Sequence, residues 1–320
     1  MFHVEFKTYI TNNVAHYAYV LPGILDLAQL SLKNVAFPKD LMAFLDLDMG
    51  DIRTLFEGTA DHLDKFLETR SAEDMDIVRR AFLTMPQYHN YFYFIFLDWT
   101  RRLEEAAHKN YLDVDELLPT DELAGMPYAF EELQEQIKDL FAHVLDMDGE
   151  NKSVQDRLTE YYKTHGDEAF VFRPQPMGFE MVYDQEFAEV LCPETIFDII
   201  DYHTRECVKR EVKMRRCKNC GRWFAVSGHL GTEYCDRPAD KKGRTCKEVG
   251  AAAVWTKSKD TDEVFKAYRR EYKKRFNWIK AGKITQEEFN AWSVEARKKK
   301  SECDEGKISL DEFSVWLKES

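Results

Sequence analysis

A chain of 320 residues is long for one domain, so two or three units are expected. With 44% hydrophobic and 32% charged residues it holds enough apolar material for a core, which excludes wholesale disorder, and 14 glycines and 9 prolines are too few for a long flexible linker. The net charge of −13 hides a split: residues 1–210 carry 19 Lys+Arg against 40 Asp+Glu, whereas residues 211–300 carry 24 against 12. An acidic body with a basic module points to a polyanionic or acidic partner for the basic half, or to attraction between the halves. No basic start followed by an apolar run opens the chain, and the densest apolar run, Tyr91–Leu97, is far short of the roughly 20 residues a membrane span needs. The expectation is a soluble cytoplasmic protein with no membrane partner.

Residues 1–168 read as an acidic helical body. Only Phe2, Val4 and Phe6 alternate like a strand. Ile52, Leu55, Phe56, Ala60, Leu63, Phe66 and Leu67 fall on one helix face, as do Phe130, Leu133, Ile137, Leu140, Phe141 and Val144. A shorter helix starts near Ser71, and Tyr91–Ala107 reads as a helix buried at one end. Leu112–Pro127 and Asp146–Lys152 read as loops. Asp46-Leu-Asp48 and Asp146-Met-Asp148-Gly149 lack the ligand spacing of a calcium loop and read as turns. The histidines of the body form no metal motif. The aromatic run Tyr88–Phe94 would point all around a helix axis, which suits a core better than a base-stacking platform.

Residues 169–256 read as a small α+β region. Ala169–Arg173 and Phe179–Tyr183 alternate on either side of Pro174-Gln-Pro176, which predicts a hairpin; a helix follows with Pro193 at its first position. The strongest signal comes next: Cys217-Lys-Asn-Cys220, fourteen residues to Cys235 and ten to Cys246. Four cysteines in a cytosolic chain, two of them in a CxxC knuckle, match a structural zinc site better than disulfides. Short strands at Val212–Arg216 and Arg222–Val226 flank the knuckle, and Thr232–Cys235 is expected to return as a strand. Thr245-Cys-Lys-Glu248 is a capping box, which places Cys246 in the first turn of a helix. Knuckle, hairpin and a ligand from a helix start make a treble-clef-like zinc finger binding Zn2+ through Cys217, Cys220, Cys235 and Cys246, with His229 as the rival fourth ligand. Cys192, Cys207 and Cys303 read as packing residues.

The phrase Met214-Arg-Arg-Cys-Lys-Asn-Cys-Gly-Arg-Trp-Phe224 resembles the C-terminal finger of an uncharacterised bacterial family, a domain of unknown function, and is more distantly similar to the CGNR-type zinc finger. The similarity runs from about Phe170 to the C-terminus. It implies zinc on the four matching cysteines and, by analogy with the wider finger group, a nucleic-acid or regulatory role. The sequence departs from the Cys-Gly-Asn-Arg motif, since Lys247-Glu-Val249 follows Cys246, so no role resting on that arginine carries over.

Residues 257–320 read as a helical tail of about three helices. Val264, Tyr268, Tyr272, Phe276 and Ile279 line one helix face. Gly282-Lys-Ile-Thr-Gln-Glu-Glu-Phe289 then recurs 24 residues later as Gly306-Lys-Ile-Ser-Leu-Asp-Glu-Phe313. Each copy ends one helix at a glycine and caps the next with Thr285 or Ser309 and Glu288 or Glu312. The chain is thus expected to be mainly α (α+β), in three parts: 1–168, 169–256 and 257–320. Its expected function is nucleic-acid binding, DNA or RNA, with transcriptional regulation, through Arg215, Arg216, Lys218, Arg222, Lys241, Lys242 and Arg244 in the basic 211–300 segment. The alternative is a protein-interaction scaffold in which zinc is purely structural. No P-loop, GxSxG, Rossmann or deaminase pattern is present, and catalysis would require an acid pair assembled by the fold of the body.

Overall fold

The structure is a computed structural model that describes residues 6–20, 30–108, 114–146, 152–182, 186–229, 231–251 and 262–320. The chain divides into two compact units. The first comprises Met1–Arg216 and Arg222–Thr232, the second Cys217–Gly221 and Glu233–Ser320. The protein is mainly α, with small sheets.

The first unit opens with strands β1 (Phe6–Thr11), β2 (Val14–Val20) and β3 (Leu30–Ala36). Asn12 and Asn13 both take positive φ, 51° and 59°, the geometry that lets a two-residue turn follow the twist of a hairpin. Helices α1 (Lys39–Leu45), α2 (Met49–Thr69), α3 (Ala72–Thr84), α4 (Phe92–His108), α5 (Val114–Leu117), α6 (Thr120–Leu140) and α7 (Val154–His165) follow. The chain then adds β4 (Met177–Met181), β5 (Phe187–Leu191) and α8 (Ile196–Lys209), and ends in a small hairpin, β6 (Met214–Arg216) and β7 (Trp223–Ala225). The five strands form one antiparallel sheet in the order β3-β2-β1-β5-β4.

One hydrophobic core runs from Phe6 to Met214, so β5 and α8 build on the same core as the helices of the body. Phe44, Phe56, Phe92 and Phe130 pack ring on ring at its centre, with centroids 5.7–6.2 Å apart. Tyr91, Phe92 and Phe94 of the aromatic run are buried, as core packing requires. The helix faces of α2 and α6 and the Ser71 cap of α3 are those expected.

Several expectations need correction. β2 and β3 carry alternating patterns that helical spacing did not anticipate; Phe2 and Val4 lie outside the described residues. Ala169–Arg173 is not a strand, and β4 pairs with β5 instead. Its backbone groups find side chains: Phe170 N–H donates to the Tyr161 hydroxyl, the Tyr162 hydroxyl donates to Phe170 O, and Arg173 N–H donates to Asp201 Oδ2. Pro193 does not begin α8, because the Asp198 carboxylate accepts the N–H groups of Glu194 and Thr195 and sets the start at Ile196. The expected loop at Leu112–Pro127 contains α5 and the first turns of α6, whose acids Asp121 and Glu122 suit a helix N-terminus and whose Pro127 is buried inside the helix. Thr232–Cys235 forms no strand. Of Asp146–Lys152, residues 147–151 lie outside the described residues.

The second unit holds a helix that begins at Cys246, α9, described over 246–251, and then α10 (Glu263–Lys280), α11 (Gln286–Asp304) and α12 (Leu310–Glu319). The predicted punctuation is present in full. Gly282 and Gly306 take φ of 65° and 74°, and Thr285–Glu288 and Ser309–Glu312 form capping boxes. Gly282 N–H bonds to Ile279 O and Lys283 N–H to Trp278 O, and Gly306 and Lys307 repeat both bonds on Cys303 and Glu302. Ala267, Phe289, Trp292, Ala296, Phe313 and Leu317 form the core. Phe276, expected on the inner face of α10, is half exposed, while Glu271 and Arg275 are buried. Arg275 lies 4.7 Å from the Trp292 ring and donates to the backbone oxygen of Ser320.

Two consequences are measurable. Ser309→Ala removes one cap and should cost about 1 kcal/mol, whereas Phe313→Ala opens a cavity in a small core and should cost about 3–5 kcal/mol. Denaturant unfolding of the tail helices reads both. In the first unit, burial lowers His89 and His203 from 6.5 to about 4, with Asp40 opposing the shift. Because the folded value lies below the unfolded one, the unfolded chain takes up protons first, so stability is full above pH 6.5 and falls toward pH 4. The loss should reach about 2 kcal/mol per histidine by pH 5. A urea midpoint for this unit that stays level from pH 7 to pH 5 contradicts it.

Candidate metal centre

Three local structures bring the cysteines together. β6 runs into the turn 217–221 and β7 runs out of it. Gly221, at φ 75°, closes this turn by donating its N–H to Cys217 O at 2.8 Å, a conformation that favours glycine. Cys235 sits in irregular backbone, not on the strand a treble clef was expected to place there. It is held by Lys218 N–H on Glu233 O and Lys247 N–H on Cys235 O, at 3.1 and 3.0 Å. Cys246 opens α9, as the capping box requires: Glu248 N–H donates to Thr245 Oγ1 at 3.3 Å and Thr245 N–H to Glu248 Oε2 at 2.6 Å.

The four sulfur atoms lie within 4.8 Å of one another, with Cys220 Sγ and Cys235 Sγ 3.7 Å apart. Four sulfurs at about 2.3 Å from one ion form a tetrahedron with edges of about 3.8 Å. The arrangement is therefore compatible with a single metal ion. Cys217, Cys235 and Cys246 are buried and Cys220 is exposed.

Several polar hydrogens address the sulfurs. Cys235 N–H donates to Cys217 Sγ at 3.4 Å, and Asn219 Nδ2 donates to Cys246 Sγ at 3.3 Å. Burial pushes the Cys217 thiol up, but the N–H groups of Cys220, Cys235 and Asn219 outweigh it and bring it down to about 7. Burial raises the Cys246 thiol. Donors of this kind favour thiolate and orient it, as the second shell of a metal site does. His229 is not in the cluster; its Nδ1 accepts Gly231 N–H at 3.0 Å.

The basic residues singled out from the sequence part ways in the structure. Arg215 is buried and donates to Thr232 O at 3.0 Å. Lys218 pairs with Glu233 and Arg244 with Asp240. Arg216, Arg222, Lys241 and Lys242 are exposed.

Residues 187–315 match the family described as Family of unknown function (DUF6076). The matched segment includes β5, α8, the four cysteines and most of the tail, and lies within the stretch where the resemblance was expected. The CGNR-type resemblance gains nothing from this match. No curated protein and no solved structure matches the chain. Among the described residues, no helix is long and apolar enough to cross a membrane.

Helical spacing alone did not reveal a second group of side chains that could hold a metal ion, Asp139, His143 and His165. Asp139 and His143 are four residues apart, which a helix brings together, but His165 comes from another helix and carries no sequence mark.

Between 231 and 251 the buried side chains are those of Cys235 and Cys246, so this stretch should depend on the cysteine cluster. Cys217→Ser should expose the other three thiols to alkylation and open 231–251 to protease while the first unit stays protected. Unchanged alkylation rates would refute the dependence.

Proposed function

We propose that the four cysteines hold one structural Zn2+ and that the unit ordered in this way binds nucleic acid through a basic helix. Zinc suits the donor set: it prefers thiolate, accepts tetrahedral geometry without an electronic penalty, and leaves no open position once four sulfurs are bound. Such a site serves architecture rather than catalysis.

The observation that carries the nucleic-acid reading is the outward face of α10. Lys266, Arg269, Arg270, Lys273, Lys274 and Lys280 are all exposed there, the first five linked by spacings of three and four and Lys280 lying two turns on from Lys273, which aligns them along the helix. Glu263 is the exposed acid on this helix, and Glu271 is turned into the core. Two of the cations have acidic neighbours, Lys266 with Glu263 and Lys274 with Glu271. The stripe as a whole remains strongly positive, as phosphate binding with counterion release requires. Lys241 and Lys242 add exposed cations in the same unit. Of the others that the sequence nominated, Arg215 is left out of this contact set because it is buried against a carbonyl, while Lys218 and Arg244 are exposed and paired with Glu233 and Asp240.

A second reading has its own support in the first unit. β4 is an edge strand, and Met177, Phe179, Met181 and Phe187 are exposed on β4 and β5, Phe179 by 70%. The Phe179 and Phe187 rings pack at 5.6 Å. An exposed apolar edge of this kind suits a protein partner that covers it or extends the sheet.

Purified protein should contain one Zn2+ per chain and should retard generic DNA or RNA in a gel at about 50 mM salt, with affinity falling steeply by about 200 mM. Reversing Arg270 and Lys273 to Glu should weaken binding tenfold or more with the zinc content unchanged. Absence of binding to either nucleic acid at low salt rejects the reading, and partners retained after nuclease treatment favour the protein-binding one.

A further inference from the structure

We infer that Asp139, His143 and His165 form a second metal site, in the first unit, of the two-histidine, one-carboxylate type. Asp139 lies near the end of α6, His143 in the π-helical turn Phe141–Leu145 that continues it, and His165 at the end of α7. One ligand atom from each lies within 4.8 Å of the others.

The hydrogen bonds around the site set its chemistry. His165 Nδ1 lies 3.0 Å from Tyr161 O, so that nitrogen carries the proton and donates it. With Nδ1 committed to that carbonyl, Nε2 is the nitrogen left to take a metal, and it lies 3.2 Å from Asp139 Oδ2. Two acceptors held that close need a proton or a cation between them. His143 Nδ1 donates in the same way to Asp139 O at 2.9 Å, with the other oxygen of the same carboxylate 3.2 Å away, so its Nε2 is the nitrogen left to take a metal. A shared ion about 2.1 Å from an imidazole nitrogen and a carboxylate oxygen would set those atoms about 3.0–3.4 Å apart, which brackets the observed edge. The Nδ1 bond of His165 to a carbonyl is also the orienting contact that metal-bound histidines carry.

The π turn is an independent mark. Asp146 N–H bonds back to Phe141 O at 2.8 Å, five residues away, so the helix holds one extra residue directly beside the site. Insertions of this kind displace side chains from the regular helical register and recur at functional sites.

Two imidazoles and a carboxylate select a borderline divalent ion, Zn2+ or Fe2+, over calcium or magnesium. Three protein ligands leave coordination positions open, unlike the closed cysteine centre. The two histidines line a cavity of about 380 Å³ together with Lys152, Arg157 and Glu160. Lys152 pairs with Glu160 at 2.6 Å, and Arg157 donates to Asp146 O at 3.3 Å. The cations of the cavity are thus engaged at its wall, and the open positions would take water or an oxyanion.

The test is calorimetric titration of Zn2+ into the full chain after mild chelation that clears weakly held metal, with its one cysteine centre still loaded. One further ion per chain should bind saturably, and His143→Gln and His165→Gln should each weaken it about tenfold or more. Cys217→Ser should leave this second site intact, which separates its fate from that of the cysteine centre. His143 is half exposed, so His143→Gln should keep the far-UV spectrum and unfolding midpoint of the parent even where His165→Gln loses its Tyr161 bond and unfolds. No saturable uptake in the parent, or equal uptake in a folded His143→Gln variant, means that the carboxylate and imidazoles share only protons, and overturns the site.

Discussion

The convergence of four sulfur atoms between residues 217 and 246 is the constraint on which the order of this region depends. From 231 to 251 the backbone is irregular until α9 and buries almost no apolar side chain. Fixing such a stretch costs about 1–2 kcal/mol of backbone entropy per residue, and burial of two cysteines cannot offset that. A metal ion held by the four sulfurs would offset a large part of that cost, on the order of 10–16 kcal/mol coupled to folding. Local bonds then set the direction of approach: Gly221 turns the knuckle, Asn219 joins it to the sulfur of Cys246, and the Thr245 capping box fixes where α9 begins.

What was legible in the sequence is what is decided locally. The CxxC turn, the capping boxes and the glycine stops each depend on a few consecutive residues, and all stand where their spacing placed them. The sheet was not legible, because its centre joins Thr8 to Leu191 across almost the whole first unit. No pattern in either strand names its partner. The β1–β2 hairpin did carry a local sign in Asn12-Asn13, with Ala15, Tyr17 and Tyr19 alternating after it. Pro127 misled in the opposite direction: a proline inside a helix reads as a break, and here packing overrides it. The Asp139–His143–His165 group depends on a helix defect and a tertiary approach, neither of which periodicity reports.

Charge shows the same division between composition and placement. The excess of cations in 211–300 is real in the sequence, yet the fold buries two of them, Arg215 on a carbonyl and Arg275 against Trp292, and pairs Arg244 with Asp240 at the surface. Of the cations that remain outward, six are ordered along α10. The surface that matters for a polyanion is therefore set by the register of α10 rather than by the net charge of the segment.

The duplicated Gly-Lys-Ile cassette has a structural corollary. Each copy satisfies the dangling carbonyls of the helix before it and the dangling amides of the helix after it, and contributes one phenylalanine to the shared core. A junction that is complete in itself makes no demand on distant residues. The bundle is therefore modular along its length: copying or deleting one 24-residue block would add or remove a whole helix with both ends already finished, a simple route by which descendants of such a chain can change the reach of their tails.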